Sequence, residues 1–333
     1  MSEPIATPLV SIAIPVYNGG RFIRQALDHL LAQTYTHLEL VICDNASTDD
    51  TGVICQAYAA RDARVRYHRN PTNVGLIKNF CLAVERSTGT YFTWAAVDDC
   101  KLPTTVEACV RALQEQPEAV MVHGTVLVQS PGSDGLRPFP NAMDLTMSDT
   151  AARIRAFTAG LIHNAIFYAG LYRLEALRQV HLGDRLGHDY LLCLQMCLLG
   201  PVAYTPTPTV IYAERHPRPN DNPMYTTLPV TLGNLLHAGH LHRRKCWTVL
   251  LRGCYELARL QGVPWPLRWR GVWAHVLAFC QRHYNRLLRE AVFQGCEPLA
   301  WLSLRVWRLA QRWTLTAALA RKAHTYLTLH HKA

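Results

Sequence analysis

Carboxylates are scarce in the last quarter of this chain. Between Leu241 and Ala333 there are 16 Lys+Arg against 3 Asp+Glu, a net of +13, while the whole chain carries 34 Lys+Arg and 24 Asp+Glu, a net of +10. Residues 1–240 are therefore slightly acidic, with 18 basic and 21 acidic groups. A basic end on an acidic body points to an anionic partner, a nucleic acid or a membrane surface. Long apolar runs are also missing. The longest uncharged stretch, Tyr190 to Ala213, is interrupted by Pro201, Pro206 and Pro208, so it does not supply the roughly 20 apolar residues of a spanning helix. The first 8 residues are polar and proline-containing, and the apolar run from Leu9 stops at Pro15; no secretory leader is expected. The 11 cysteines form no C-x-x-C pair and no zinc spacing, so reduced thiols in a cytoplasmic setting are the simplest reading. Neither G-x-x-x-x-G-K-[ST] nor G-x-G-x-x-G follows the first apolar run, which argues against a P-loop or a dinucleotide fingerprint. A nucleotide here would be held by side chains and loop backbone.

What the chain does have is alternation. Short β-branched runs at Leu9–Pro15, Leu38–Cys43, Val65–His68, Tyr91–Val97 and Ala119–Val128 read as strands. Between them, Arg21–Gln33, the stretch to about Arg61, Leu76–Arg86 and Thr104–Gln114 read as helices. The Asp44–Asp50 cluster of Asp, Asn, Ser and Thr is suited to cap the second of these. Such an order predicts an α/β fold with a mostly parallel sheet flanked by helices. Pro131 to Asp144, rich in Pro, Gly, Asn and Ser, reads as a loop. Helices are expected at Asp149–Ala159, Leu174–Val180 and Asp189–Leu199, and a strand at Thr209–Tyr212.

Three of the strands end in polar pairs: Tyr17-Asn18, Asp44-Asn45 and Asp98-Asp99. Parallel strands end on one edge of the sheet, so these groups converge where open α/β sheets bind ligands. The hard oxygens of Asp98 and Asp99 suit Mg²⁺ or Mn²⁺ shared with a diphosphate. The plainer reading is that the two acids cap the helix that follows. Asp189, opening an apolar helix, has a plain reading of its own, since an acid there is favoured by the helix dipole.

The last hundred residues differ in character. Leu235–Leu260, Trp269–Phe293 and Leu299–Leu329 read as helices, with Pro264, Pro266 and Pro298 as breaks. Trp265, Trp269, Trp273, Trp301, Trp307 and Trp313 interleave with Arg268, Arg270, Arg305, Arg308 and Arg312. This is either core packing with a solvated basic face or a set of in-plane membrane helices. No base-reading motif accompanies it, so a nucleic-acid partner is not expected.

Several blocks together resemble family 2 glycosyltransferases, inverting nucleotide-sugar-dependent enzymes with the GT-A fold. They are Val10-Ser11-Ile12-Ala13-Ile14-Pro15-Val16-Tyr17-Asn18, Gln33-Thr34-Tyr35, Glu39 to Asp49, Asn73-Val74-Gly75 with Asn79, and Ala96-Val97-Asp98-Asp99. The likeness covers about residues 9–216. It implies a GT-A domain over 1–225, with a nucleotide-binding part about 9–128 and an acceptor part about 129–225, followed by a basic helical region over 226–333. It further implies that Pro15, Tyr17 and Asn18 lie against the nucleotide and that Asp44 bonds the base. Asn73, Gly75 and Lys78 would flank the nucleotide. Asp98 would reach the ribose, and Asp98 and Asp99 a divalent cation, Mn²⁺ or Mg²⁺, on the diphosphate. Asp189 takes the place of the catalytic base, and Arg215 and His216 resemble the basic loop over the diphosphate. The chain departs from the family pattern at Ala96, where an acid is frequent, at Asn45, where a second Asp is frequent, and at His188, where Glu often precedes the base.

The resemblance implies sugar transfer to a saccharide or lipid-linked saccharide acceptor in surface polysaccharide or lipopolysaccharide biosynthesis, at the cytoplasmic face of the membrane. The alternatives are a nucleotide-sugar-binding protein without transfer activity, to which Ala96 lends support, and a nucleotidyltransferase. The latter usually has a glycine-rich basic loop after the first strand, where this chain has Tyr17-Asn18-Gly19-Gly20-Arg21.

Overall fold

The computed structural model describes residues 7–98, 100–129, 135–138, 143, 145–160, 170–182, 188–213 and 245–293. Strands β1 (Val10–Val16), β2 (Leu38–Asp44), β3 (Val65–Arg69) and β4 (Tyr91–Trp94) pair in parallel in the order β3-β2-β1-β4. Helices α1 (Ile23–Leu31), α2 (Thr51–Arg61) and α3 (Leu76–Arg86) connect them. All of β2 and β4 is buried, which is why their sequences are nearly continuous apolar runs rather than alternating ones.

Side chains alternate between two cores. Val10, Ile12 and Ile14 pack with Ile23, Leu27 and Leu113 on one face. Ala13, Val41 and Phe92 face the other, with Ala83 of α3 and Tyr172. The period-two geometry of strands thus sets up helix layers on both sides of the sheet.

Beyond β4 the sheet becomes mixed. It continues through β8 (Leu171–Arg173), β6 (Met121–Gln129), β9 (Val202–Ala213) and β5 (Cys100–Lys101), with β7 (Leu136–Pro138) against β6. The helices here are α4 (Thr105–Glu115), α5 (Thr150–Gly160), α6 (Leu174–Arg178) and α7 (His188–Leu199). The expected mostly parallel α/β sheet is present, and several of its elements depart from the sequence reading.

The strand leading to the acids stops at Trp94. It pairs with β8 only at Tyr91 and Phe92 and with β1 as far as Trp94, so both ladders run out before Asp98. Instead of a short strand at Thr209–Tyr212, β9 runs twelve residues, through Pro206 and Pro208. Register shifts on either side of Thr125 make room for them, as bulges do for proline in a sheet. Part of the expected loop 131–144 is β7; most of the rest lies outside the described residues.

Of the basic helical region, α8 (Lys245–Arg259) and α9 (Trp265–Phe293) are described. The expected helix at Leu299–Leu329 and the proposed boundary near 225 lie outside the described residues. Pro264 and Pro266 mark the break between α8 and α9, as expected, and α9 starts at Trp265 rather than Trp269. Pro266 is its second residue, where no helical acceptor is available for an N–H in any case, and the Pro264 carbonyl accepts from Leu267 and Arg268 at 3.0 and 3.1 Å. Leu250, Leu257, Val272 and Phe279 join the apolar cluster that contains Trp94, Tyr172 and Tyr190. The two helices are therefore built into the same body as the sheet. Among the described residues no helix is long and apolar enough to cross a membrane.

Candidate active site

The carboxyl ends of β1, β2 and β4 lie on one edge, as parallel pairing requires, with Val16 beside Asp44 and Ala13 beside Trp94. The loops that follow are latched to one another. Asn18 N–H donates to Ser47 Oγ at 2.9 Å, and Asn18 Oδ1 accepts from Thr48 N–H at 2.8 Å. Gly19 N–H donates to Thr51 Oγ1 and Gly20 N–H to Asp49 Oδ2, each at 2.9 Å. The Ser/Thr/Asp cluster expected to cap α2 thus does more than cap. Asp50, at the cap position, makes no side-chain cap bond; Asp49 accepts from Thr51 N–H and also holds the first turn. Asn18 and Ala46 sit at positive φ, 52° and 61°. An alanine there costs roughly 1–2 kcal/mol, and the cross-loop latches hold it in place.

Asp44 is fully buried and well supplied with donors. Oδ1 accepts from Ser47 N–H at 2.8 Å; Oδ2 accepts from the Tyr67 hydroxyl at 2.6 Å and Arg69 Nη1 at 2.8 Å. Much of its hydrogen-bonding capacity is spent on ordering its own loop, whatever it offers a base. Burial and the carboxylate push the Tyr67 hydroxyl up to about 12, so it remains a donor at neutral pH.

Four asparagines shape the third segment. Asn45 Oδ1 accepts from Asn70 Nδ2 at 3.1 Å and Val74 N–H at 2.9 Å. Asn45 Nδ2 donates to Asn73 Oδ1 at 2.8 Å and the Gly75 carbonyl at 3.3 Å. Asn79 receives Asn70 Nδ2 at 2.9 Å and donates to the Cys43 carbonyl at 2.8 Å. Gly75, at φ +85°, then turns the chain into α3, a conformation that glycine adopts without strain. The Asn45 found in place of a frequent Asp therefore organises the Asn73–Gly75 loop, because an amide both donates and accepts where a carboxylate only accepts. Lys78 lies 3.8 Å from Glu85, with both side chains about 60% exposed (59% and 60%). So exposed a pair restrains the lysine weakly.

Asp98 is half-buried in the turn after β4. Asp189 occupies the first turn of α7, where its Oδ1 accepts its neighbour's N–H, that of Tyr190, at 2.8 Å. Trp94, four residues before Asp98, and Tyr190, next to Asp189, belong to one apolar cluster, and Tyr172 stands edge-on to Trp94 with ring centroids 5.6 Å apart. Thus the structure brings Tyr17, Asn18, Asp44, Asn73 and Gly75 into one bonded set of strand ends and loops, with Pro15 inside β1 and Lys78 and Asp98 on adjoining elements. Asp99, Arg215 and His216 lie outside the described residues. Among the described residues no three His, Cys, Asp or Glu converge as a metal cluster.

Sequence reasoning missed the support behind Asp189. His275 of α9 is fully buried, with its Nδ1 3.2 Å from Thr158 Oγ1 of α5 and 3.4 Å from the Tyr190 hydroxyl. Its other side faces α8, where Gly253 permits the approach: a Cβ there would lie 2.3 Å from Nε2. One imidazole so ties α5, α7, α8 and α9 together, and no local pattern announces it.

Burial pushes His275 down to about 3, against the pull of the Leu250 carbonyl. Unfolded, the ring takes a proton near pH 6.5. The folded state therefore loses stability as pH falls below that value, by up to roughly 1.4 kcal/mol per unit, until about pH 3. His275→Gln, which does not titrate, should show a shallower fall in melting temperature between pH 7 and pH 5 than the wild type. Parallel slopes would assign the loss to another group.

A mixed, mostly parallel sheet with converging polar strand ends, two of them acidic, and an acid-headed helix packed on its apolar cluster has the architecture of a GT-A glycosyltransferase. The family model "Glycosyl transferase family 2" matches residues 11–180. The chain belongs to this family. Glycosyltransferase GlyG of Streptococcus pneumoniae is 32% identical over 116 residues, 34% of this chain and 38% of GlyG, so the chain matches little more than a third of that relative's length. Among solved structures, S. aureus TarS 1–349 in complex with UDP-GlcNAc superposes with a TM-score of 0.58 at 15% identity, covering 92% of each chain. The mannosyltransferase PcManGT of Pyrobaculum calidifontis, in complex with GDP-Man and Mn²⁺, gives 0.52 at 18% identity, over 95% of this chain and 86% of that one. At these identities the structural likeness speaks for the fold.

Proposed function

We propose that this chain transfers a sugar, with inversion, from a nucleotide-diphosphate donor to a hydroxyl of a saccharide or lipid-linked saccharide, in surface polysaccharide or lipopolysaccharide assembly at the cytoplasmic face of a membrane. The observation that carries the reading is the latched set of three strand ends with Asp98 at its edge. The UDP-GlcNAc and GDP-Man complexes of its structural neighbours support a nucleotide-sugar donor.

The chemistry follows from what each group does. The loops at Asn18, Asp44 and Asn73 present a preorganised floor for the nucleotide, so little ordering entropy is spent on binding. Asp98 and Asp99 would hold the divalent cation; hard carboxylates suit Mn²⁺ or Mg²⁺, with remaining ligands from the diphosphate and water. Bound there, the ion supplies charge neutralisation for the departing diphosphate. Arg215 and His216 add positive charge over the same oxygens. Asp189 takes the proton from the acceptor hydroxyl as it attacks the anomeric carbon. One displacement inverts that centre.

A panel of nucleotide-diphosphate sugars with Mn²⁺ should contain one that raises the melting temperature, since a ligand of the folded state stabilises it. No shift with any donor would remove the donor-binding reading. A donor that binds without being transferred or hydrolysed would leave a binding protein. Chelation with EDTA should abolish transfer, and added Mn²⁺ or Mg²⁺ should restore it. Activity that survives thorough chelation would take Asp98 and Asp99 out of a metal role.

A further inference from the structure

The described surface has one concentration of exposed apolar side chains. Of nine large hydrophobic residues exposed among the described residues, five belong to α8 and α9: Leu251, Tyr255, Trp265, Trp269 and Trp273. Trp265, Trp269 and Trp273 recur at i, i+4 and i+8, which places them along one side of α9 over about 12 Å. They are 66%, 50% and 57% exposed. Leu251 and Tyr255 repeat the pattern at i, i+4 on α8, both 59% exposed. The buried residues of the same helices, Leu250, Leu257, Val272 and Phe279, face the core. Both helices thus turn apolar side chains outward, tryptophans on α9, while burying the opposite side. Arg259 lies over the Tyr255 ring with its guanidinium 4.9 Å from the centroid, so charge and aromatic surface are interleaved.

We propose that this tryptophan ridge docks the protein on an anionic lipid surface, with α9 lying in the plane of the headgroups. Tryptophan has an apolar body and one polar N–H, which suits the boundary between headgroups and acyl chains. The charge is complementary: the ridge sits in a region of net +13, and arginine beside it meets anionic headgroups. The same charge disfavours the other candidates for covering it. A second copy placed ridge to ridge sets two equally basic surfaces against each other. Residues 294–333 of the same chain carry 6 Lys+Arg and 1 Asp+Glu, so they too are like-charged. Docking by this face extends the reading of a lipid-linked acceptor by naming the surface that brings the enzyme to it. It does not depend on transfer itself.

The test is sedimentation of the full chain with vesicles of phosphatidylcholine alone and of phosphatidylcholine with phosphatidylglycerol. The wild type should bind the anionic vesicles, and added salt should weaken binding. The triple variant Trp265→Ala, Trp269→Ala, Trp273→Ala should lose at least about tenfold in vesicle affinity. All three side chains are exposed, so its melting temperature should stay near that of the wild type. Wild-type tryptophan fluorescence should also be quenched by lipids brominated near the headgroup, a reading that needs no substitution. Equal vesicle binding by the triple variant overturns the proposal, as does equal binding to neutral and anionic vesicles. Dimerisation that the triple variant abolishes would make a second copy the occupant and overturn it likewise. Since binding is read without donor or acceptor, docking and transfer fail separately.

Discussion

Asp189→Asn is expected to lower turnover by roughly two to four orders of magnitude, the usual contribution of a positioned general base, and to leave nucleotide-sugar binding near that of the wild type. The argument rests on where the residue sits. Asp189 heads α7 and bonds locally to Tyr190 N–H, while the rest of that helix is anchored in the apolar cluster behind it. That bond to the Tyr190 N–H fixes the carboxylate at the head of the helix. The competing explanation is that an acid at a helix N-terminus merely favours the dipole, which amounts to about 0.3–1 kcal/mol. That effect would appear as a small loss of stability with turnover unchanged. Single-turnover transfer and donor titration on the same variant separate the two. Transfer at the wild-type rate would end the assignment of Asp189 as base.

Asp44→Ala is expected to cost about 3 kcal/mol of folding stability, at the lower end for breaking a buried ion pair, and to weaken nucleotide binding as well. Three donors converge on this carboxylate from Ser47, Tyr67 and Arg69. Arg69 is 46% exposed on its side chain and can turn toward water, which moderates the loss. The Ser47 N–H is buried and the Tyr67 hydroxyl partly so, and neither finds a substitute acceptor easily. Asp44→Asn keeps one oxygen and should lose less. Urea denaturation gives the stability term and a nucleotide titration gives the binding term. If Asp44 served only to bond the base, affinity would fall with the unfolding midpoint unchanged. That outcome would refute the loop-ordering role.

The strand–helix alternation from Val10 to Gln129 was legible because each element has its own period and its own stop signals. Leu76–Arg86 was read to the residue. The polar strand ends at Asn18, Asp44 and Asp98 were legible for the same reason: parallel strands put them on one edge. How they are held was not. The four-asparagine network and the latches from Ser47, Asp49 and Thr51 span 25 to 32 residues where they cross between loops, and sequence spacing has no bearing on such pairings. The twelve-residue β9 was hidden by Pro206 and Pro208, which argue against a strand unless a partner bulges to accommodate them. β4 stops at Trp94, where its pairing with β1 ends, two residues beyond its pairing with β8.

By itself the sequence determined the α/β class, the sheet edge where the polar strand ends gather, the acids placed there and the charge of the last hundred residues. Those properties are local: they follow from periodicity, strand direction and composition. Tertiary structure alone decided that Asn45 would organise a loop, that His275 would stand behind Tyr190, and which tryptophans of α9 would face outward. Each of these depends on contacts between elements far apart in the chain, where burial and close packing select among side chains that local pattern treats alike.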